Sequence, residues 1–191
     1  MKISGKFVLK VAGTLTVISL VVAALLGVVN MVTKDKIDAI NAEKTNQALA
    51  AVAPEGAEFT PVELTDAAVA AASAYGTLDS MYAMSTGGYA MKIVASGSQG
   101  SIEMIVGVDA NKALTGVSVV NHSETGGIGT KVVNNDPNTA GTPVLDQFIG
   151  MSGAGSLVVG KTVTPISGAT VTTKGITAGC NAALAAVEAM G

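Results

Sequence analysis

The 191-residue sequence has no arginine and no tryptophan, and it has one cysteine and one histidine. The absence of arginine removes the usual bidentate partner of phosphate, and with the acidic balance beyond Pro54 it argues against nucleic acid as a partner. The single cysteine, Cys180, excludes a disulfide framework or a cysteine-held iron–sulfur cluster within one chain. With His122 as the only histidine, metal sites other than carboxylate-rich ones are excluded, and we expect no metal.

Apolar residues are abundant: 49% of the chain is hydrophobic and only 13% is charged. The uncharged run at residues 11–33 is long enough to cross a bilayer as a helix. Lys2, Lys6 and Lys10 precede the run, whereas the charges after it cancel. The positive-inside rule therefore predicts a single pass through the plasma or inner membrane, with residues 1–10 cytoplasmic and the rest extracytoplasmic. A cleavable signal peptide is the alternative, but the run is long for one and lacks a convincing cleavage site.

Residues 34–77 are predicted to form a helical stalk and a linker. Helix-forming residues continue to Val52, and Pro54-Glu55-Gly56 should end the helix. The Ala-rich, polar stretch that follows predicts a short helix near Thr65–Ser73.

Residues 78–191 are predicted to form one extracytoplasmic α+β domain. Three runs alternate between apolar and polar residues and predict an antiparallel meander, at 89–95, 101–108 and 117–119. Apolar residues recur at helical spacing from Ile176 to Val187, so a C-terminal helix should cover one face of the sheet. Phe148 and Cys180 are expected in the core.

Ser167-Gly168-Ala169-Thr170-Val171-Thr172-Thr173-Lys174-Gly175 places four hydroxyl side chains and two glycines within nine residues. The cluster lies where the C-terminal helix should begin, and the free N–H groups and positive dipole end of a helix favour an anion there. Serine and threonine can cap the helix or bind phosphate oxygens, and glycine lets the backbone come close. Alone, the cluster also fits a capped helix after a turn.

A second segment, Asn121-His122-Ser123-Glu124-Thr125-Gly126-Gly127-Ile128-Gly129-Thr130-Lys131, has three glycines in four residues. Alone, it fits a glycine-rich surface turn, because no strand–helix dinucleotide fingerprint accompanies it.

Together the two segments resemble the FMN-binding domain family. Ser167–Thr170 resembles the family's flavinylation motif, Asp-x-x-Ser/Thr-Gly-Ala-Thr/Ser, with Thr164 in the aspartate position. The second segment resembles its Ser-Glu-Thr-Pro-Gly-Leu-Gly loop, with Gly126 where proline is usual. The resemblance implies that Thr170 carries FMN through a phosphoester bond. It also implies a separate flavin transferase, because an unactivated threonine hydroxyl is a poor nucleophile.

The resemblance implies roles for the neighbouring residues as well, although each could instead be a cap or turn residue. The turn around the phosphate would comprise Ser167, Gly168 and Ala169. Further phosphate contacts would come from Thr172, Thr173 and Lys174. The ribityl chain or ring would lie near Glu124, Thr125 and Gly129. Because aromatic residues are only 3% of the chain, we expect the dimethylbenzene edge to rest on aliphatic side chains.

The whole layout is similar to the G-subunit family of Rnf complexes, which are ion-translocating ferredoxin:NAD oxidoreductases. This family is related to the longer C subunit of the sodium-pumping NADH:quinone reductase. The resemblance implies an electron carrier with covalent FMN that is a redox subunit without a complete active site of its own, and other membrane subunits as partners. Two alternatives stay open: an anchored binding or assembly module without a redox cofactor, and a flavodomain of another membrane electron-transfer chain.

Overall fold

The computed structural model describes residues 5–191. Residues 1–4, with Lys2 of the predicted cytoplasmic segment, lie outside the described residues. The chain divides into two compact units between Glu43 and Lys44, and each unit is described by itself.

Helix α1 spans Gly5–Val52 and ends two residues before Pro54, as the sequence predicts. Its apolar part is in the first unit and has a mean hydropathy of 2.5 over its most apolar stretch, none of which is buried. At 1.5 Å per residue, residues 11–33 extend about 35 Å, which covers the ~30 Å hydrocarbon core of a bilayer. By length and composition, this is the one helix within residues 5–191 that could cross a membrane.

Threonine hydroxyls on the apolar part of α1 donate to carbonyls of the preceding turn. The pairs are Thr14 with Lys10, Thr16 with Ala12 and Thr33 with Val29, each at 2.9 Å. Hydroxyls bonded within the helix need no water.

The second unit is built on a five-stranded antiparallel sheet whose strands lie side by side in chain order. The strands are β1 Phe59–Val62, β2 Thr77–Met84, β3 Tyr89–Ser96, β4 Ser101–Val108 and β5 Leu114–His122. The last three correspond to the predicted meander, which is confirmed. The sequence prediction missed β1, which has only four residues and includes Pro61, and β2, whose alternation is interrupted by a register shift between Leu78 and Ser80.

The other helices of this unit are α2 Asp66–Ala72, α3 Gly129–Val133 and α4 Thr170–Met190. Helix α2 begins at the predicted place because the Thr65 hydroxyl caps it by accepting from the Ala68 N–H at 3.2 Å. Helix α2 packs on α4, and β1 pairs with β2, so residues 57–77 belong to the same compact unit as the rest of the sheet. Their Ala-rich, polar composition had indicated a linker.

Both faces of the sheet are covered. Helix α4 packs against β3 and β4 on one face, as predicted. On the other face, the last turns of α1 place Leu49 and Val52 against a buried cluster that includes Ala90, Ile105 and Val120. Phe148 lies in the core on the α4 side, where it is fully buried as expected.

Two glycines let α4 lie very close to the sheet. A Cβ at Gly175 would lie 2.5 Å from the Ser96 carbonyl oxygen, and a Cβ at Gly179 would overlap the Met104 sulfur. Cys180 follows directly and is buried, so burial raises the pKa of its thiol and supports the predicted packing role. This close approach brings the N-terminal turns of α4 to the end of the sheet where β3 turns into β4.

Candidate functional site

The turn Ser167–Thr170 presents Thr170 to solvent. Ile166 and Ala169 are buried, and the Ala169 N–H donates to the Ile166 carbonyl at 3.0 Å. Gly168 has a φ of +82°, a left-handed conformation that costs any other L-residue free energy. The two buried residues therefore anchor the turn, and Thr170 is left exposed as the first residue of α4.

The N-terminus of α4 has no side-chain cap. The N-cap residue is Ala169, which has no side-chain oxygen, whereas the sequence had allowed Ser or Thr in this role. The first N–H groups of a helix have no partner within it, and they carry the positive end of its dipole. This helix end is therefore suited to an anionic group.

Two amide side chains hold the segment that leads into the turn. Gln147 accepts from the Thr164 N–H at 2.8 Å and donates to the Thr164 carbonyl at 3.1 Å. The buried Asn138 donates to the same carbonyl at 3.5 Å. Thr164, at the aspartate position of the motif, is thus held through its backbone. In the sequence Gln147 follows Asp146 and interrupts the apolar run at residues 144–149, and that interruption was the one available signal of its role.

The hydroxyls of Thr172 and Thr173 are buried and already donate to protein acceptors. Thr172 donates to the Glu124 carboxylate, and Thr173 donates to the Ala169 carbonyl at 3.0 Å. The Thr173 N–H donates to the same carbonyl. Both hydroxyls and the Thr173 N–H are therefore engaged within the protein. Among the groups of these two residues that could donate to a phosphate, the Thr172 N–H remains available. Lys174 lies exposed one turn beyond Thr170 on the same side of the helix.

The glycine-rich segment leaves β5 at His122 and forms an exposed loop that ends in α3. We call Thr125–Ile128 the glycine loop. The Thr125 carbonyl closes it by accepting from the N–H groups of Ile128 at 3.3 Å and Thr130 at 3.2 Å. Gly127 has a φ of +75°, and its N–H donates to the Thr130 hydroxyl at 2.8 Å.

Glu124, just before the glycine loop, has a buried carboxylate with three hydrogen-bond donors. One oxygen accepts from the N–H groups of Ser98 at 2.7 Å and Gln99 at 3.2 Å, in the turn between β3 and β4. The other accepts from the Thr172 hydroxyl. Glu124 is only 7% exposed, so the carboxylate depends on these donors. The direct flavin contact expected for Glu124 stays a prediction.

Glycines make room for this carboxylate. A Cβ at Gly97 would overlap a Glu124 oxygen, and a Cβ at Gly129 would lie 2.8 Å from the Glu124 Cβ and 2.9 Å from the Thr172 Oγ1. Gly129 therefore contacts the first turn of α4 because it lacks a side chain.

Two exposed aliphatic side chains accompany these segments. Ile128, at the tip of the glycine loop, is 51% exposed, and Val171, next to Thr170, is 54% exposed. The aliphatic support that the low aromatic content led us to expect for the dimethylbenzene edge stays a prediction.

We expect the stability of the second unit to depend on the ionisation of Glu124. Burial by itself would raise the pKa of Glu124, but the Thr172 hydroxyl, the two turn N–H groups and neighbouring His122 hold it below its ordinary value of 4.5. A lowered pKa stabilises the fold above pH 4.5 and loses that contribution as the pH falls through the folded-state value. Urea unfolding of the full chain in detergent, followed by circular dichroism, should show wild type more stable than Glu124→Gln at pH 7. An equal difference at pH 3.5 would contradict this account.

Comparison with known proteins gives two family matches. Residues 97–185, which include the glycine loop and Ser167–Thr170, match the FMN-binding domain. Residues 1–52, which include the whole of α1, match the RnfG N-terminal region.

Two relatives are similar over nearly the whole chain. The G subunit of the Na(+)-translocating ferredoxin:NAD(+) oxidoreductase complex of Acetobacterium woodii is 32% identical, and the match covers 94% of this chain and 91% of the relative. The G subunit of an ion-translocating oxidoreductase complex of Methanosarcina acetivorans is 30% identical, with 97% of each chain covered.

Proposed function

The chain belongs to the G-subunit family of the Rnf ion-translocating oxidoreductase complexes, and we propose that it is a membrane-anchored electron carrier with FMN bound covalently to Thr170. Its family membership supports an FMN-containing electron-transfer subunit. The covalent bond, the membrane anchor and its orientation are the further parts of the proposal. In this role the chain is one redox subunit of a ferredoxin:NAD oxidoreductase, and the other membrane subunits are its partners.

The observation that carries the covalent bond is the exposed hydroxyl of Thr170 at the uncapped N-terminus of α4. In this turn Ala169 is buried and Thr172 is bonded to Glu124, whereas Thr170 faces solvent. Attachment would join Thr170 Oγ1 to phosphorus, with loss of the hydroxyl proton and of the leaving group of the flavin donor. A separate flavin transferase would supply that donor, because an exposed threonine hydroxyl without an adjacent base is a poor nucleophile.

The residues present fit FMN. Because the chain has no arginine, the FMN phosphate would be held by the N–H groups at the start of α4 and by Lys174, one turn further along the helix. Ile128 and Val171 offer exposed aliphatic surface for the ring. When bound, FMN supplies one- and two-electron redox chemistry. A covalent link removes the need for an enclosed pocket, and a site open to solvent would suit electron exchange with a partner subunit.

In-gel flavin fluorescence under denaturing conditions, with intact mass of the same sample, tests the covalent bond. The full chain should be produced in its own host or with a flavin transferase. We expect a fluorescent band and a mass increase of one phosphoester-linked FMN, with the adduct on the peptide that contains Ser167–Lys174. An unmodified, dark band despite an active transferase would contradict the proposal and favour an anchored module without a redox cofactor.

The proposed orientation places the N-terminus in the cytoplasm and the second unit outside. A membrane-impermeant maleimide should therefore label Thr86→Cys, in the exposed β2–β3 turn, on intact cells. It should label Gly5→Cys only after permeabilisation, and this variant keeps all three N-terminal lysines. Wild type is the control, because Cys180 is buried and burial raises the pKa of its thiol. Labelling of Gly5→Cys on intact cells, with Thr86→Cys protected, would reverse the orientation.

A further inference from the structure

The Glu124 carboxylate joins three segments that are distant in the sequence. These are the β3–β4 turn at Ser98 and Gln99, the start of the glycine loop and the first turn of α4 at Thr172. Glu124 is itself held, since its N–H donates to His122 Nδ1 at 3.2 Å. A buried carboxylate with three donors is fixed in place, and charged hydrogen bonds are stronger than neutral ones.

The same three segments are packed closely around this carboxylate. Gly97 and Gly129 leave space for the carboxylate and no more, because a Cβ at either position would collide with it. Gly175 brings the second turn of α4 against the Ser96 carbonyl. The packing and the hydrogen bonds therefore define one arrangement of these segments.

One member of this junction, Thr172, is close to Thr170 in the first turn of α4. Thr172 follows Thr170 by two residues, which is about 3 Å along the helix axis. The other member, Glu124, is followed directly by the glycine loop, which carries the exposed Ile128. The glycine loop, through the residue that precedes it, and the helix end that bears Thr170 are thus connected by one carboxylate.

We propose that Glu124 is a positioning residue for the flavin, because it ties the glycine loop to the first turn of α4 and holds both in one arrangement around Thr170. The inference rests on the proposed function. It assigns Glu124 a role that needs no direct contact with FMN. A bond at the phosphate restrains only one end of the flavin, so the orientation of the ring depends on how rigidly the surrounding walls are held.

Three variants of the full flavinylated chain isolate this role. Glu124→Gln keeps the size of the side chain but removes its charge and one acceptor oxygen. Thr172→Val keeps the shape of the side chain but removes the hydroxyl that links loop and helix. Thr172→Ser restores a hydroxyl and serves as the conservative rescue.

Asp109→Asn is the matched control. Asp109 is a carboxylate in the β4–β5 turn that accepts from the N–H groups of Asn111 at 2.8 Å and Ala113 at 2.9 Å. It resembles Glu124 in bonding a hairpin backbone, but it lies at the opposite end of the sheet. If the flavin signals respond only to a general loss of stability, they should change in both Glu124→Gln and Asp109→Asn. If they respond to loss of positioning, they should change in Glu124→Gln and not in Asp109→Asn.

The readouts are the fluorescence anisotropy and midpoint potential of the bound flavin, and hydrogen exchange of the loop amides. We expect Glu124→Gln and Thr172→Val to lower the anisotropy, shift the potential and speed exchange at Thr125–Thr130 about tenfold. Thr172→Ser should recover wild-type values, and Asp109→Asn should speed exchange only in its own turn.

Two results would overturn the inference while leaving the proposed function intact. The first is that the flavin in Glu124→Gln and Thr172→Val has the same anisotropy and midpoint potential as the flavin in Asp109→Asn. The other is faster loop exchange with unchanged flavin signals, since the loop would then not be a wall of the site. A wild-type chain without covalent flavin would refute the proposed function itself, and this inference with it.

Discussion

Thr170→Ala is expected to abolish covalent FMN completely. The substitution removes the only atom of this side chain that can form the phosphoester. Thr170 is exposed at the first position of a helix where alanine is well tolerated, so the free energy of unfolding should change by no more than about 0.5 kcal/mol. Denaturing-gel fluorescence and intact mass measure the flavin, and membrane extraction checks that the chain still inserts.

Two hydroxyl variants are its controls. Thr170→Ser keeps a hydroxyl at the attachment position, and the family pattern admits serine there, so it should retain part of the flavin. Thr86→Ala removes the hydroxyl of an exposed threonine in the β2–β3 turn, outside the motif, and should keep its covalent flavin. Covalent flavin that survives in Thr170→Ala would place the attachment elsewhere, and peptide mapping would identify the residue.

Gly129→Ala is expected to destabilise the second unit by about 1–3 kcal/mol, the usual cost of forcing extra atoms into a packed interior. The new methyl group would lie 2.8 Å from the Glu124 Cβ and 2.9 Å from the Thr172 Oγ1. Relieving these contacts would move Gly129 and the glycine loop before it away from α4, and would weaken the hydrogen bond between Glu124 and Thr172. Urea unfolding of the full chain in detergent, followed by circular dichroism, measures the loss.

Gly126→Ala is the matched control in the same segment. A Cβ at Gly126 would meet nothing within 4 Å, and its φ is not in the left-handed region. We expect a change within about 0.5 kcal/mol, as for most surface substitutions. Equal effects of the two variants would mean that Gly129 does not pack against Glu124 and Thr172 as described.

Local sequence patterns were sufficient for the elements with a strong period or a clear end. The uncharged run and Pro54 predicted where α1 lies and ends, and alternation predicted β3, β4 and β5. They failed for β1 and β2, because four residues with a proline, and a strand with a register shift, carry little periodic signal. Pairing with neighbours makes these segments strands, and pairing is a tertiary property.

The same division applies to the candidate site. The sequence located Thr170 and the glycine loop, because a short motif needs only adjacent residues to be recognised. It did not reveal that the Thr172 and Thr173 hydroxyls are already bonded, or that Ala169 leaves the helix end uncapped. Those facts depend on where α4 begins and, for Thr172, on a partner 48 residues away.

By itself, then, the sequence determined the apolar helix, the α+β class and the Ser-Gly-Ala-Thr string, since each depends on composition, period or a contiguous string. Only the tertiary structure decided what Glu124 does. Its donors, Ser98, Gln99 and Thr172, are 26, 25 and 48 residues distant. The chain must close the sheet and place α4 against it before a carboxylate beside a glycine-rich turn can join them.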